Sequence, residues 1–310
     1  MSIIIRSENL EVSILPPQPK PASERFDSSC FVDKVILNGK HSFCVPEQKL
    51  PDRKTCNGAG LCAEFKWCEL ACEVKAGEFF PKIGVGLLRQ TEDNRIYNIW
   101  NNYEVVPFEL KAEASSDRVR FIQEPKECLG VAARIYREAI VWKNTLSLYT
   151  TIENTGVRAL DLSEYHHNFV AIDDIPVGPG YRLKVPFDGR ISELSDSCRV
   201  RCEDKAVPGR IAPGILSADG DTILWNGMMT GLEYHKNTQA EHILPMARYY
   251  WTLTHDRSPA AVSEIMSFTP NKFALWGIEH CICPEVFIKL FVMPGAKQSW
   301  TRTWIFEDDR

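Results

Sequence analysis

Two histidines stand side by side in EYHHNF, residues 164–169, between a carboxylate and an amide. Histidine is the side chain whose ordinary pKa lies closest to neutral, so it is the usual proton carrier in catalysis. A second residue of interest is Glu285 of CICPE, which follows a proline inside an apolar run. A carboxylate there is either buried and paired or functional, because burial without a partner is costly. One such acid and one such base suit proton transfer on a bound substrate. If 164–169 is extended, successive side chains point to opposite faces, so His166 and His167 cannot both line one cleft. One of them faces the substrate and the other is structural or exposed.

The elements that must position these residues read as strands. Long helical periodicity is scarce, and short runs of Val, Ile, Leu, Thr and aromatics alternate with polar residues between Gly, Pro, Asn and Asp. TLSLYTTIEN (145–154) sets Leu146, Leu148, Thr150 and Ile152 against the intervening residues and turns at NTG. YRLKVPF (181–187) alternates after the breaker PVGPG, and VFIKLFVMPG (286–295) sets Val286, Ile288, Leu290 and Val292 against Phe287, Lys289 and Phe291. WTRTWIFED closes the chain as another strand, and the first fifty residues read as a strand or two on the sheet rim. This density of strands predicts an all-β sandwich. No repeat, linker or composition break divides residues 1–310, which predicts a single domain.

With 44% hydrophobic and 25% charged residues, the composition is that of a globular protein. A net charge of -5 leaves no electrostatic footprint for nucleic acid. No segment approaches the roughly 18 apolar residues of a membrane helix. The opening MSIIIRSENLEVSILPPQPKP has an apolar run too short for an export signal, so the expected address is the cytoplasm. There, reduced thiols are the default for the eleven cysteines. Six of them fall between Cys30 and Cys72, and CNGAGLCAEFKWCELAC matches none of the usual zinc spacings. The C-x-C of CICPE is also a weak metal signal. Buried or incidental thiols are expected, with a metal site or disulfides as the alternatives.

The order of elements from VAARIYREAIVWKNTLSLYTTIENTGVRALDLSEYHHNFVAID onward resembles the aldose 1-epimerase (galactose mutarotase-like) superfamily. There an ENTG-type turn leads into a strand carrying the catalytic histidine in the generic form N-H-x-Y-F-x-L. Setting His167 at that position places Phe169 and Ile172 nearby, whereas setting His166 there matches Phe169 but puts Ala171 where the leucine belongs. Near the C-terminus the family presents a glutamate as C-L-E, then P-G, then an aromatic strand. HCICPEVFIKLFVMPGAKQSWTRTWIF supplies Cys283-Pro284-Glu285, Pro294-Gly295 and Trp300 to Phe306. Trp276-Gly277 stands in place of a Tyr-x-Gly element, and GAGLCAEFKW…GEFFPKIGVGLLR resembles an uncharacterised branch. The likeness covers roughly residues 55–306.

The resemblance implies a large antiparallel β-supersandwich of the galactose mutarotase-like type. It also implies a small-molecule sugar as partner, with no nucleic acid, membrane, metal or other cofactor needed. Interconverting anomers requires taking the proton from the C1 hydroxyl while protonating the ring oxygen, rotating C1–C2 and reversing both transfers. On this resemblance Glu285 is the base and His167 the acid, on opposite sides of one sugar, each contributing about 10²–10⁴-fold. The family's H-G-G and G-R-x-A-N-R stretches are absent. In that part of the chain stand Lys82 and Arg89, both pure hydrogen-bond donors suited to hydroxyls or an anionic group. Further candidate substrate contacts are His166, Asp173 and Trp276. Asp173 and Asp174 precede a turn, where Asp most often serves the backbone. Trp251, Trp276 and Tyr165 are candidates to stack on a pyranose or to fill the core, and Glu64 is a candidate polar contact. Two other functions fit the same fold: a sugar-binding or regulatory protein without the chemistry, and a glycoside-processing enzyme, which needs a second acid at glycosidase spacing from Glu285.

Overall fold

The computed structural model describes residues 2–19, 23–49, 58–185, 195–202, 205–209, 215–229, 232–239 and 251–309. Alternation appears where the sequence places it. Thr145–Asn154 is a strand whose buried positions include Leu146, Leu148, Thr150 and Ile152. Its partner Ala133–Trp142 buries every second residue, including Arg137 at an otherwise apolar position. Lys297–Glu307 alternates in the same way. These three strands lie side by side in a ten-stranded sheet with one face buried and the other open. The turn after Asn154 admits only glycine at its third residue, since a Cβ on Gly156 would stand 2.5 Å from the Gly130 carbonyl oxygen.

The second sheet has eleven strands. At one edge lie Ile3–Arg6, Leu10–Ile14 and Val32–Leu37, more strand than the first fifty residues suggest, and they lead through Gly60–Lys66 to Leu160–Phe169, Cys281–Val292 and Lys272–Ile278. The pairings among the described strands are antiparallel, so the architecture is an all-β antiparallel supersandwich. A three-stranded sheet, Phe79–Lys82 with Gly86–Arg89 and Val105–Pro107, accompanies the two large ones. Tyr181–Lys184 is extended as expected; Pro186 and Phe187 of that run lie outside the described residues, as does Cys56. Every cysteine whose side chain is described is a free thiol. Among the described residues no helix is long and apolar enough to cross a membrane.

The main apolar core fills the space between the large sheets, with Val12, Leu148, Trp251, Val262, Leu275 and Trp304 among its members. Two central strands of the eleven-stranded sheet depart from simple alternation. In Leu160–Phe169 the last six residues, Glu164 to Phe169, are buried on both faces, and Cys281–Val292 is buried on both faces from Cys281 to Ile288. Beyond Ile288 alternation returns, and Phe291 is 63% exposed. The face away from the ten-stranded sheet is therefore covered only at one end of these strands. His167 and Glu285 lie at that covered end.

Candidate active site

Strand register brings the two residues together. Leu160–Phe169 pairs with Cys281–Val292 from Leu160 with Val292 to Tyr165 with Phe287, and resumes at the Val170–Ile282 bridge. His167 thus stands opposite Glu285, and Cys283 opposite Phe169. Glu64 pairs with Tyr165 across the other neighbouring strand, and Trp276 pairs with Cys283. Because side chains alternate, Glu64, Tyr165, His167, Cys283, Glu285 and Trp276 share one face of the sheet.

His167 Nδ1 lies 2.8 Å from Glu285 Oε1, and its Nε2 lies 3.2 Å from Glu64 Oε2. His167 and Glu64 are each 2% exposed and Glu285 is 5% exposed. The ring is edged by Phe26 at 5.0 Å, stacked on by Phe169 at 5.3 Å and flanked by Tyr165 at 4.6 Å. Burial alone would hold the imidazole neutral, but the Glu285 and Glu64 carboxylates outweigh burial and the nearby Arg25 guanidinium, raising the His167 pKa. In the charged form each ring nitrogen donates to one carboxylate.

Glu64 anchors the arrangement. It accepts from Arg25 Nε at 2.7 Å, Lys82 Nζ at 3.0 Å and the Tyr165 hydroxyl at 2.7 Å. Burial would raise this carboxyl, but Lys82, Arg25 and the His167 hydrogen bond hold it well below the usual range. Arg25 also reaches Glu47 at 3.3 Å, and its Nη2 lies 3.3 Å from His167 Nε2. The acid and base expected across a sugar are instead side by side and in contact. That suits anomeric chemistry in one respect: the hydroxyl and ring oxygens that exchange protons are bonded to the same carbon.

The other expected contacts fall in different places. Lys82 is buried beside Glu64 and also donates to the Phe65 carbonyl at 2.7 Å, so it positions Glu64. Trp276 lies on the site face, half-buried, with its ring edge-on to Phe169 at 5.8 Å. Arg89 lies apart, half-buried and paired with Glu104 at 2.7 Å. Asp173 serves its turn: at φ 53° it accepts from the Ser42 amide at 3.1 Å and from Ser258 Oγ at 2.7 Å, and its Oδ2 lies 2.9 Å from His41 Nδ1.

His166 points the opposite way, into the space between the sheets. Its Nδ1 lies 3.0 Å from Glu164 Oε1 but out of line for a hydrogen bond, and the Trp304 ring lies 5.3 Å away. Burial lowers its pKa to about 3, helped by Arg302 and Arg137 against the pull of Glu164. It is therefore neutral near pH 7 and has no proton to give as an acid there.

Arg25 and Glu47 were not singled out in the sequence. Arg25 sits in ASERFDSS, where no periodicity marks it. Glu64 carried a usable signal, a carboxylate within the apolar strand LCAEF, which is the criterion that picked out Glu285.

No family model matches the chain, and no curated protein matches it. Solved structures do. A putative aldose 1-epimerase from Escherichia coli K12 superposes with a TM-score of 0.59 at 9% identity, covering 99% of each chain. A galactose mutarotase-like protein from Clostridium acetobutylicum gives 0.57 at 13% identity, covering 99% of this chain and 95% of its own. One from Lactobacillus casei gives 0.55 at 14%, covering 99% and 100%. Two large antiparallel sheets in this arrangement thus have the galactose mutarotase-like fold.

Proposed function

We propose that the protein is a cytoplasmic, single-domain aldose 1-epimerase-like enzyme acting on a free sugar. The observation that carries this reading is the 2.8 Å contact between a buried histidine biased toward its charged form and a glutamate on the neighbouring strand. His167 is the acid and Glu285 the base. The hemiacetal enters beside the pair, the C1 hydroxyl gives its proton to Glu285, and His167 protonates the ring oxygen. The ring opens, C1–C2 rotates, and the reverse transfers close it on the other face and restore both groups. Each group supplies about 10²–10⁴-fold. Trp276 offers an aromatic face for the pyranose. Glu64 is a positioning residue: it holds Nε2 and helps keep the imidazolium charged.

Saturation-transfer NMR of anomer exchange across a panel of free aldoses tests this. Wild type is expected to accelerate exchange for at least one sugar, His167→Ala and Glu285→Gln to lose that acceleration, and Arg89→Ala to keep it. Binding without acceleration in the wild type would replace the enzyme with a sugar-binding protein. The direct contact of acid and base, which a substrate has to open, is the observation that favours that second reading.

A further inference from the structure

We propose that His167 Nδ1, Cys283 Sγ and the Glu285 carboxylate form a three-donor site for a divalent transition-metal ion of the zinc class. The three donor atoms are mutual neighbours. Nδ1 to Oε1 is 2.8 Å, Sγ to Oε1 is 3.6 Å and Sγ to Nδ1 is 4.0 Å. Bonds of about 2.0–2.3 Å to a tetrahedral ion imply donor separations of about 3.3–3.6 Å, so shifts of a fraction of an ångström close the site. The backbone sets this spacing: Cys283 and Glu285 alternate onto one face of a strand, and His167 stands opposite Glu285 on the next.

The donor types narrow the ion. A thiolate beside an imidazole and a carboxylate suits zinc or cobalt, whereas magnesium and calcium prefer oxygen donors alone. A second, independent feature points the same way. A metal-bound histidine usually donates its other ring N–H to a carboxylate, which fixes the tautomer and aims the ligating nitrogen. Here Glu64 lies 3.2 Å from Nε2 and is itself held by Arg25, Lys82 and Tyr165. The ion would replace two protons, the one shared by Nδ1 and Glu285 and the one the Cys283 thiol directs at Glu285, both released to solvent, and three protein donors leave a fourth position for water or substrate. It would use the same atoms as the proposed acid and base, so the ion and proton-transfer catalysis exclude one another. Metal binding does not depend on the sugar reading.

Cobalt(II) added to the metal-free, reduced full chain is the probe, read by thiolate-to-cobalt charge-transfer absorption, with zinc competition measured by equilibrium dialysis. One ion per chain is expected, displaced by zinc. The band should vanish in Cys283→Ser, and affinity should fall at least tenfold in Glu285→Gln. Glu64→Gln should weaken binding by about 10–100-fold. Cys62→Ser and Cys281→Ser should leave stoichiometry and band unchanged. A band retained in Cys283→Ser, a band lost with Cys62 or Cys281, or no band in the wild type would overturn the assignment. If Cys283→Ser does not fold, the near-isosteric Glu285→Gln decides. No sugar enters the assay, so its outcome is separate from that of anomer exchange.

Discussion

Two polar layers lie back to back on one strand, and they treat neighbouring histidines in opposite ways. On the inter-sheet side Glu164, His166 and Asn168 meet Arg302, Glu264, Trp251 and Trp304. Arg302 donates to Glu264 at 2.9 Å and to Glu164 at 2.8 Å, and Arg137 lies 3.0 Å from Asp27. Burial drives His166 neutral on this side, and Arg302 and Arg137 add to it against the pull of Glu164. On the other side Glu64 and Glu285 flank His167 and favour its charge. Both rings are buried and one residue apart. What distinguishes them is the balance against burial: two carboxylates outweigh it at His167, whereas at His166 the pull of Glu164, opposed by Arg302 and Arg137, does not.

The largest effect should come from the inter-sheet layer. Arg302→Leu leaves Glu164 and Glu264 buried without their partner, and removing one member of a buried charge pair costs about 3–5 kcal/mol. Urea unfolding should show that loss, while the folded fraction keeps its anomer exchange; equal loss of both would erase the distinction between the layers. Glu64→Gln should act on the site instead. It withdraws one of the two carboxylates that favour the imidazolium, so the His167 pKa falls and the alkaline limb of the exchange–pH profile moves to lower pH. Lys82 and Arg25 lose their shared partner, at about 1–3 kcal/mol of stability.

Proton linkage gives a subtler contrast. His166 is depressed in the folded state, so as pH falls below about 6.5 the unfolded chain takes up a proton that the folded chain refuses, and stability declines toward pH 3. His167 is raised, so its contribution is complete below about 6.5 and is lost as pH rises through its folded value. His166→Gln should flatten the decline in unfolding free energy between about pH 7 and pH 5, above the range where ordinary carboxyls titrate. An unchanged slope would show that His166 is not held neutral. The smallest effect is expected at Asp173→Asn, about 1 kcal/mol from weakened turn hydrogen bonds, with exchange unaltered.

Much of this arrangement was legible in the sequence because it follows period 2. The 145–154 alternation fixed an inward face and an outward face, and by the same rule the doublet His166-His167 had to divide between the two faces of its own strand. Glu285 stood out as a carboxylate in an apolar strand, and Glu64 satisfied the same criterion. What was not legible depends on contacts between segments far apart in the chain. Arg25 reaches Glu64 from a stretch without periodicity, and Lys82 is delivered from the small sheet, whose other basic residue, Arg89, pairs with Glu104 instead. The side-by-side contact of His167 and Glu285 rests on strand register, which no local pattern reveals.

The account rests on opposite charge states in adjacent histidines, and a pH titration of nitrogen-15-labelled histidine followed by NMR reads them directly. His166→Gln and His167→Ala would assign the two rings. The prediction is that His167 is still protonated on both nitrogens at pH 6 and titrates above the ordinary histidine value, while His166 remains neutral until about pH 3. If His167 is neutral at pH 6, or both rings titrate together near the ordinary histidine value, the two faces do not differ as described and His167 loses its claim to be the acid.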